Sequence, residues 1–211
     1  MRCNKTITKK NVDFPAICLV VSGGHTDLVL LTSNTKITYL GGTRDDAVGE
    51  SFDKVSRVLG IQKYLGGPKL SILASKYKNK PSIKLPRPLI NSGDFEFSFS
   101  GLKTAVIKEV KNHTPDELAF EFEQAVCDVL VYKTKEAVKE YSPKSVILCG
   151  GVSANTVIRE GFIKNFKNVF IPPVYLCTDN ASMIGSAAYF YAKNATSDLS
   201  KIEADPSLSL Q

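Results

Sequence analysis

The segment Val20-Val21-Ser22-Gly23-Gly24-His25-Thr26-Asp27 sets a Gly-Gly turn between two short apolar runs, residues 16–21 and 28–31. Two such runs punctuated only by glycine predict a β-hairpin, which commits the chain to a sheet with at least one antiparallel pair. The glycines also bear on function. With no Cβ in the way, successive N–H groups converge on an anionic oxygen, as in phosphate-binding nests. Ordinary hairpins turn on Gly-Gly as well, so this turn takes its meaning from what surrounds it.

A third apolar run, 37–40, ends in Gly41-Gly42. Val48, Phe52, Val55 and Val58 then recur at helical spacing, predicting a helix over about 46–59 that Gly60 stops. Gly66-Gly67-Pro68 opens a second, short helix with proline at a tolerated first-turn position. The alternation in Phe95-Glu96-Phe97-Ser98-Phe99 predicts a strand leading to another helix from Ser100. Thr114-Pro115-Asp116-Glu117 reads as a helix start, and Leu118, Phe122, Ala125, Val129 and Tyr132 mark the buried stripe of a helix reaching about residue 141. An apolar strand, Ser145-Val146-Ile147-Leu148-Cys149, runs straight into Gly150-Gly151-Val152-Ser153-Ala154-Asn155 and a further helix. Strand, glycine turn and helix N-terminus in succession make an anion or nucleotide site more specific than any one of them. Residues 169–171 form another strand, and Cys177-Thr178-Asp179-Asn180 caps a last helix over about 181–192. A hairpin followed by alternating strands and helices specifies an α/β fold: a mixed sheet with flanking helices.

Charge and composition narrow the classes of partner. No stretch approaches the roughly 18 apolar residues of a membrane span, and residues 1–11 lack the apolar core of a signal peptide, so a cytoplasmic protein with no membrane partner is expected. Five cysteines without C-x-x-C spacing indicate neither a disulfide framework nor a zinc ribbon; Cys149 and Cys177 read as small buried apolar residues. The net charge of +6 is clustered: Lys76, Lys78, Lys80, Lys84 and Arg87 share one proline-broken segment, an exposed loop. Such a loop is either a solvated surface or a contact for nucleic-acid phosphates.

Six blocks carry a family resemblance in their order along the chain: 21–26 (VSGGHT), 45–54 (DDAVGESFDK), Gly66-Gly67-Pro68, 97–104 (FSFSGLKT), 150–155 (GGVSAN) and 177–181 (CTDNA). Together they resemble the tRNA N6-adenosine threonylcarbamoyltransferases of the bacterial TsaD type, over nearly all of the chain from Phe14 onward. The resemblance implies an actin, hexokinase and Hsp70-like (ASKHA) fold, two related lobes with a nucleotide between them. It divides the chain into a poorly matching segment 1–13, a domain over 14–193 comprising mainly the second lobe, and a polar tail over 194–211. It implies transfer of a threonylcarbamoyl group from threonylcarbamoyl-AMP to N6 of adenosine 37 in tRNAs reading codons that begin with A. It places substrate contacts at Val20, Val21, Ser22, Gly23, Gly24, Asp53, Gly67 and Asn155, makes Asp179 a ligand of one iron or zinc ion, and brings partner proteins of the TsaB and TsaE types. No catalytic side chain is assigned.

Each position has a plain structural reading as well: a hairpin turn at 22–24, an exposed helical carboxylate at Asp53, a helix-entry turn at Gly67, an N-cap at Asn155. His25 is a polar group beside the site or a hydrogen-bonded hairpin residue. The family's first lobe ends in a His-x-x-x-His pair that completes the metal site, whereas here the two histidines are His25 and His113. Asp179 therefore stands without those ligands, and metal sites of this kind need about three or more protein ligands. The expectation is a truncated, catalytically impaired relative. A non-catalytic nucleotide-binding or scaffold subunit is the alternative, and zinc proteolysis is the least favoured reading.

Overall fold

A computed structural model describes residues 11–62, 65–194, 198 and 200. Segment 1–13 and the tail 194–211 of the expected division therefore lie almost wholly outside the described residues.

The hairpin forms as its sequence predicts. Strands β1 (Ala16–Val21) and β2 (Thr26–Leu31) pair antiparallel, Val21 opposite Thr26, and β3 (Ile37–Gly42) extends the meander. Strand β4 (Ser145–Cys149) lies parallel to β1 on its other side, followed by the two-residue β5 (Val169–Phe170), giving the order β3-β2-β1-β4-β5. β1 is thus central, and five of its six residues are buried, which accounts for its unbroken apolar run. Ile17, Leu19 and Val21 point into the main core.

Helices α1 (Val48–Val58), α2 (Gly67–Ala74), α3 (Ser100–Glu109), α4 (Pro115–Tyr141), α5 (Thr156–Asn165) and α6 (Ala181–Phe190) fill the intervals. α4 is the post of the molecule, touching β1, α1, α2, α3 and α5. Leu118, Phe122, Ala125 and Val129 are fully buried, and Phe122 meets Phe52 of α1 edge-on at 5.1 Å. Tyr132 departs from the predicted stripe and is exposed, because α4 is surrounded by several elements and buries more than one face. Lys133, next to it, is 1% exposed and donates from Nζ to Ser92 Oγ and the Asp94 carbonyl, each at 2.7 Å.

The strand expected at 95–99 does not form. Phe97 and Phe99 are buried as the alternation requires, yet pairing is limited to one parallel bridge between Thr43 and Phe97. Asp45 ends the extended stretch by accepting from the Phe99 amide at 2.8 Å and the Ser100 amide at 3.3 Å, which starts α3 instead. α6 is the opposite of α4: apolar in composition, it has no buried residue. Among the described residues the cysteines are unpaired, and no helix is long and apolar enough to cross a membrane.

Candidate nucleotide cleft

β1 and β4 run parallel, so the 22–25 turn and the 150–155 turn leave the sheet at the same end. From there the chain departs toward β2 on one side and toward β5 on the other. That is the switch-point crevice in which α/β sheets hold ligands. The two turns touch: Gly150 has φ +91°, and a Cβ there would collide with the Val21 carbonyl oxygen. Gly49, in the first turn of α1, is equally constrained, since a Cβ would lie 2.6 Å from the Ser22 carbonyl oxygen and 2.9 Å from Gly23.

Within the hairpin turn, Ser22 Oγ accepts from the Gly24 amide at 3.3 Å and the His25 amide at 3.0 Å, and lies 3.5 Å from His25 Nδ1. His25 is therefore hydrogen-bonded within the hairpin and exposed. The Gly23 amide has no acceptor among the described residues. Open space stands over Gly23 and Gly24 where a Cβ would go. The Val21 main chain meets Gly150 while its side chain is fully buried in the core, and Val20 lies within the sheet, opposite Asp27 and Cys149. Thr26, fully buried, caps α1 by accepting from the Val48 amide at 2.9 Å, and the Gly49 amide donates to the Ser22 carbonyl at 3.0 Å.

One turn along α1, Asp53 is half-buried and accepts through Oδ1 from the amides of Gly66 (2.7 Å) and Gly67 (3.2 Å). It caps α2 from a neighbouring helix, a role beyond that of an exposed carboxylate. A Cβ on Gly67 would make only an ordinary 3.6 Å contact with Phe52, so packing does not require glycine there. α2 then carries Ser71 to the site. Asn155 caps α5 by accepting from the Ile158 amide at 3.0 Å, and its Nδ2 donates to Ser71 Oγ at 2.9 Å and to Glu123 Oε1 at 2.5 Å. Ser71 Oγ donates to that same Glu123 oxygen at 2.7 Å. Contacts run from Ser22 to Gly49, along α1 to Asp53, and on to Gly67, Ser71 and Asn155; the 150–155 turn then closes the ring at Gly150 against Val21.

Glu123 is 3% exposed. Burial pushes its carboxyl above the ordinary range, opposed by the hydrogen bonds from Ser71 and Asn155. Asp45 shifts the other way: burial works upward on it but is outweighed by the Ser98 hydroxyl and the Phe99 and Ser100 amides. Glu123, Ser71, Thr26 and Arg159 were not singled out from sequence. Arg159 donates to the carbonyls of Ser153 and Pro172, each at 2.9 Å, tying the 150–155 turn to the loop that precedes Asp179. The one available signal was helical spacing, which sets Ser71 one turn beyond Gly67.

Asp179 is exposed, between a short 3-10 turn (Val174–Leu176) and Asn180, which caps α6. Among the described residues no group of three or more His, Cys, Asp or Glu side chains could hold a metal ion. A lone exposed carboxylate does not fit iron or zinc. The basic loop also divides. Lys76, Lys78, Lys80 and Lys84 are exposed, whereas Arg87 is half-buried, paired with Glu121 and, at 2.7 Å, with Asp128.

Solved structures share the fold. HypF in its phosphate- and nucleotide-bound form superposes with a TM-score of 0.66 at 12% identity, over 89% of this chain and 34% of that one. Component A of the (R)-2-hydroxyglutaryl-CoA dehydratase of Acidaminococcus fermentans gives 0.52 at 18%, over 85% and 62%. At those identities the likeness shows a shared fold alone. Sequence relatives are far closer. The tRNA N6-adenosine threonylcarbamoyltransferase of Persephonella marina is 47% identical over 192 residues, 87% of this chain and 55% of that protein. That of Halalkalibacterium halodurans is 43% identical over 213 residues, 96% and 61%. The chain thus spans roughly half to three-fifths of the length of these curated relatives. A family model matches residues 2–186, and the chain belongs to the TsaD family, tRNA N6-adenosine threonylcarbamoyltransferase.

Proposed function

We propose that this chain carries the adenylate-binding side of a threonylcarbamoyl transfer site. Threonylcarbamoyl-AMP is the donor, and N6 of adenosine 37, in tRNAs reading codons that begin with A, is the acceptor. The observation that carries the reading is the ring of contacts at the ends of β1 and β4, which joins Val21, Ser22, Asp53, Gly67 and Asn155, five of the eight substrate positions drawn from the resemblance. In the reaction the adenine N6 lone pair attacks the carbamoyl carbon, the bond from that carbon to the AMP phosphate oxygen breaks, N6 loses one proton, and AMP departs. The free Gly23 amide suits the phosphate, since an N–H group aimed at an oxyanion stabilises it without reorganisation. Asp53, an acceptor, suits the ribose hydroxyls.

Asp179 is a single carboxylate, so transfer by these 211 residues alone is expected to be weak. The exposed Lys76, Lys78 and Lys80 are proposed to meet tRNA phosphates, and Arg87 is excluded from that role by its ion pairs. A cytoplasmic location, and partner proteins of the TsaB and TsaE types, belong to the same proposal.

Isothermal titration with AMP tests the cleft. Binding by the wild type is expected, with Asn155→Ala weaker by about tenfold through loss of the cap and of two hydrogen bonds. No binding by a folded wild type would overturn the reading. For the lysines, replacing each with glutamate should lower the log–log salt slope of tRNA binding by roughly 0.7–0.9 per site. An unchanged slope would remove the loop from the interface.

The competing reading, a non-catalytic nucleotide-binding subunit, is favoured by the same isolated Asp179. An assay of threonylcarbamoyl transfer to a tRNA transcript, with partner proteins present, separates the two.

A further inference from the structure

Buried ionisable side chains need a reason, because burial disfavours their charge. Lys133 has an evident one in bracing the 92–94 turn, and Glu117 and Glu121 hold the 82–87 segment to α4. Glu123 braces no loop. Its recorded partners are Ser71 and Asn155, side chains from two other helices that meet at the cleft.

The hydrogen-bond inventory is restrictive. The Asn155 amide has two donor hydrogens and an oxygen with two lone pairs. Its orientation is fixed from both ends: the Ile158 amide must face the oxygen, and a carboxylate must face the NH2 group. Both donors are then spent inward, on Ser71 Oγ and Glu123 Oε1, leaving one lone pair on Oδ1. Ser71 is in the same position: its one hydrogen is directed at Glu123 at 2.7 Å, with the Gly67 carbonyl a longer acceptor at 3.2 Å, and its oxygen accepts from Asn155, leaving one lone pair. Beside them Asp53 also accepts. This wall of the cleft offers acceptors only, while the free Gly23 amide on the hairpin turn offers a donor.

We propose that Glu123 is the positioning residue of the cleft, holding Asn155 and Ser71 so that they present only lone pairs and thereby select a ligand bearing hydroxyl donors, the ribose of a nucleotide, over one lacking them. The inference rests on the nucleotide-cleft reading above. Glu123 touches no ligand itself. Without its carboxylate the Asn155 NH2 group loses an acceptor, and the amide is free to turn a donor outward.

The test is titration of the whole 211-residue chain with AMP and with 2′,3′-dideoxy-AMP, alongside circular dichroism. Wild type is expected to prefer AMP by about tenfold or more, the cost of leaving buried polar groups unpaired. Glu123→Gln keeps an oxygen for both donors and retains the preference. Glu123→Leu, folded, loses it. If Glu123→Leu does not fold, Asn155→Asp decides. It sets a second carboxylate against Glu123, and AMP preference should collapse, then return in the Asn155→Asp/Glu123→Gln double variant, where the glutamine NH2 faces the new carboxylate. A folded Glu123→Leu with wild-type preference, or a double variant that regains nothing, overturns the role of Glu123 and leaves the cleft standing. A wild type that binds neither nucleotide overturns the cleft reading and this inference with it.

Discussion

At the scale of single residues, glycines around the cleft serve two distinct purposes. Gly150 is constrained by conformation and by space, with φ +91° and the Val21 carbonyl where a Cβ would sit. Gly24 meets neither constraint, since nothing lies within 4 Å of its Cβ position. Gly150→Ala should therefore destabilise the chain by about 1–3 kcal/mol from backbone strain alone, before any displacement of the β1 end is counted. Gly24→Ala should stay within about 0.5 kcal/mol in stability, yet weaken AMP by narrowing the space above the turn. Urea denaturation of the two variants beside wild type separates a structural glycine from a ligand-facing one. Equal losses of stability would show that both serve the fold. The distinction is invisible in sequence, where both belong to Gly-Gly pairs of the same appearance.

At the scale of elements, α4 organises the site through its carboxylates. Glu117 accepts from the Ser82 amide (2.6 Å) and hydroxyl (2.7 Å), Glu121 takes the Leu85 amide and Arg87, and Asp128 takes Arg87 again, so the lysine-bearing segment is strapped to this helix. The Ser82 bonds, with His113 assisting, hold the Glu117 carboxyl down at about 2, against an ordinary 4.5. A depressed folded pKa adds stability that is present above about 4.5 and is lost as pH falls from there toward 2, when the folded state must take up the proton that the unfolded state already holds. Urea midpoints measured down that range should fall in wild type and fall less steeply in Glu117→Gln. Asp94, held at about 2 mainly by Ser92 with Lys133 assisting, maintains a residual slope in the variant. Parallel curves would mean that the Glu117 bonds do not persist in solution.

Local signals made most elements legible: the hairpin, the Thr-Pro start of α4 and the strand-glycine-helix succession at 145–155 each follow from neighbouring residues. What escaped depends on partners far along the chain. Phe97 alternates like a strand residue but pairs only at Thr43, Lys133 is buried because Ser92 and Asp94 come to it, and Glu123 acquires its role from Ser71 and Asn155, 52 and 32 residues away. Arg87 read as one of a basic cluster until Glu121 and Asp128 claimed it.

At the scale of the whole molecule, apolar surface is unevenly distributed. The core gathers β1, β2, β4 and five helices, while α6 keeps Met183, Ile184, Tyr189 and Phe190 in solvent, with Val174 and Tyr175 exposed just before it. Ile184 is 63% and Tyr189 77% exposed, and contiguous apolar patches of this kind are uncommon on monomers. Just past its C-terminal end the Tyr191 hydroxyl donates to the Thr35 carbonyl at 3.4 Å. Two consequences follow from an apolar helix that has no buried residue. Removing its apolar side chains should cost little, so Ile184→Glu with Phe190→Glu is expected to shift stability by no more than about 0.5 kcal/mol per site, against about 2–5 kcal/mol for truncating a core leucine such as Leu118. The same double substitution should strongly reduce the fluorescence of an anilinonaphthalene sulfonate dye bound to the native chain, because the dye reports accessible apolar surface. Both are read on one sample by dye titration followed by urea denaturation. A large loss of stability with unchanged dye binding would mean that α6 is packed in solution.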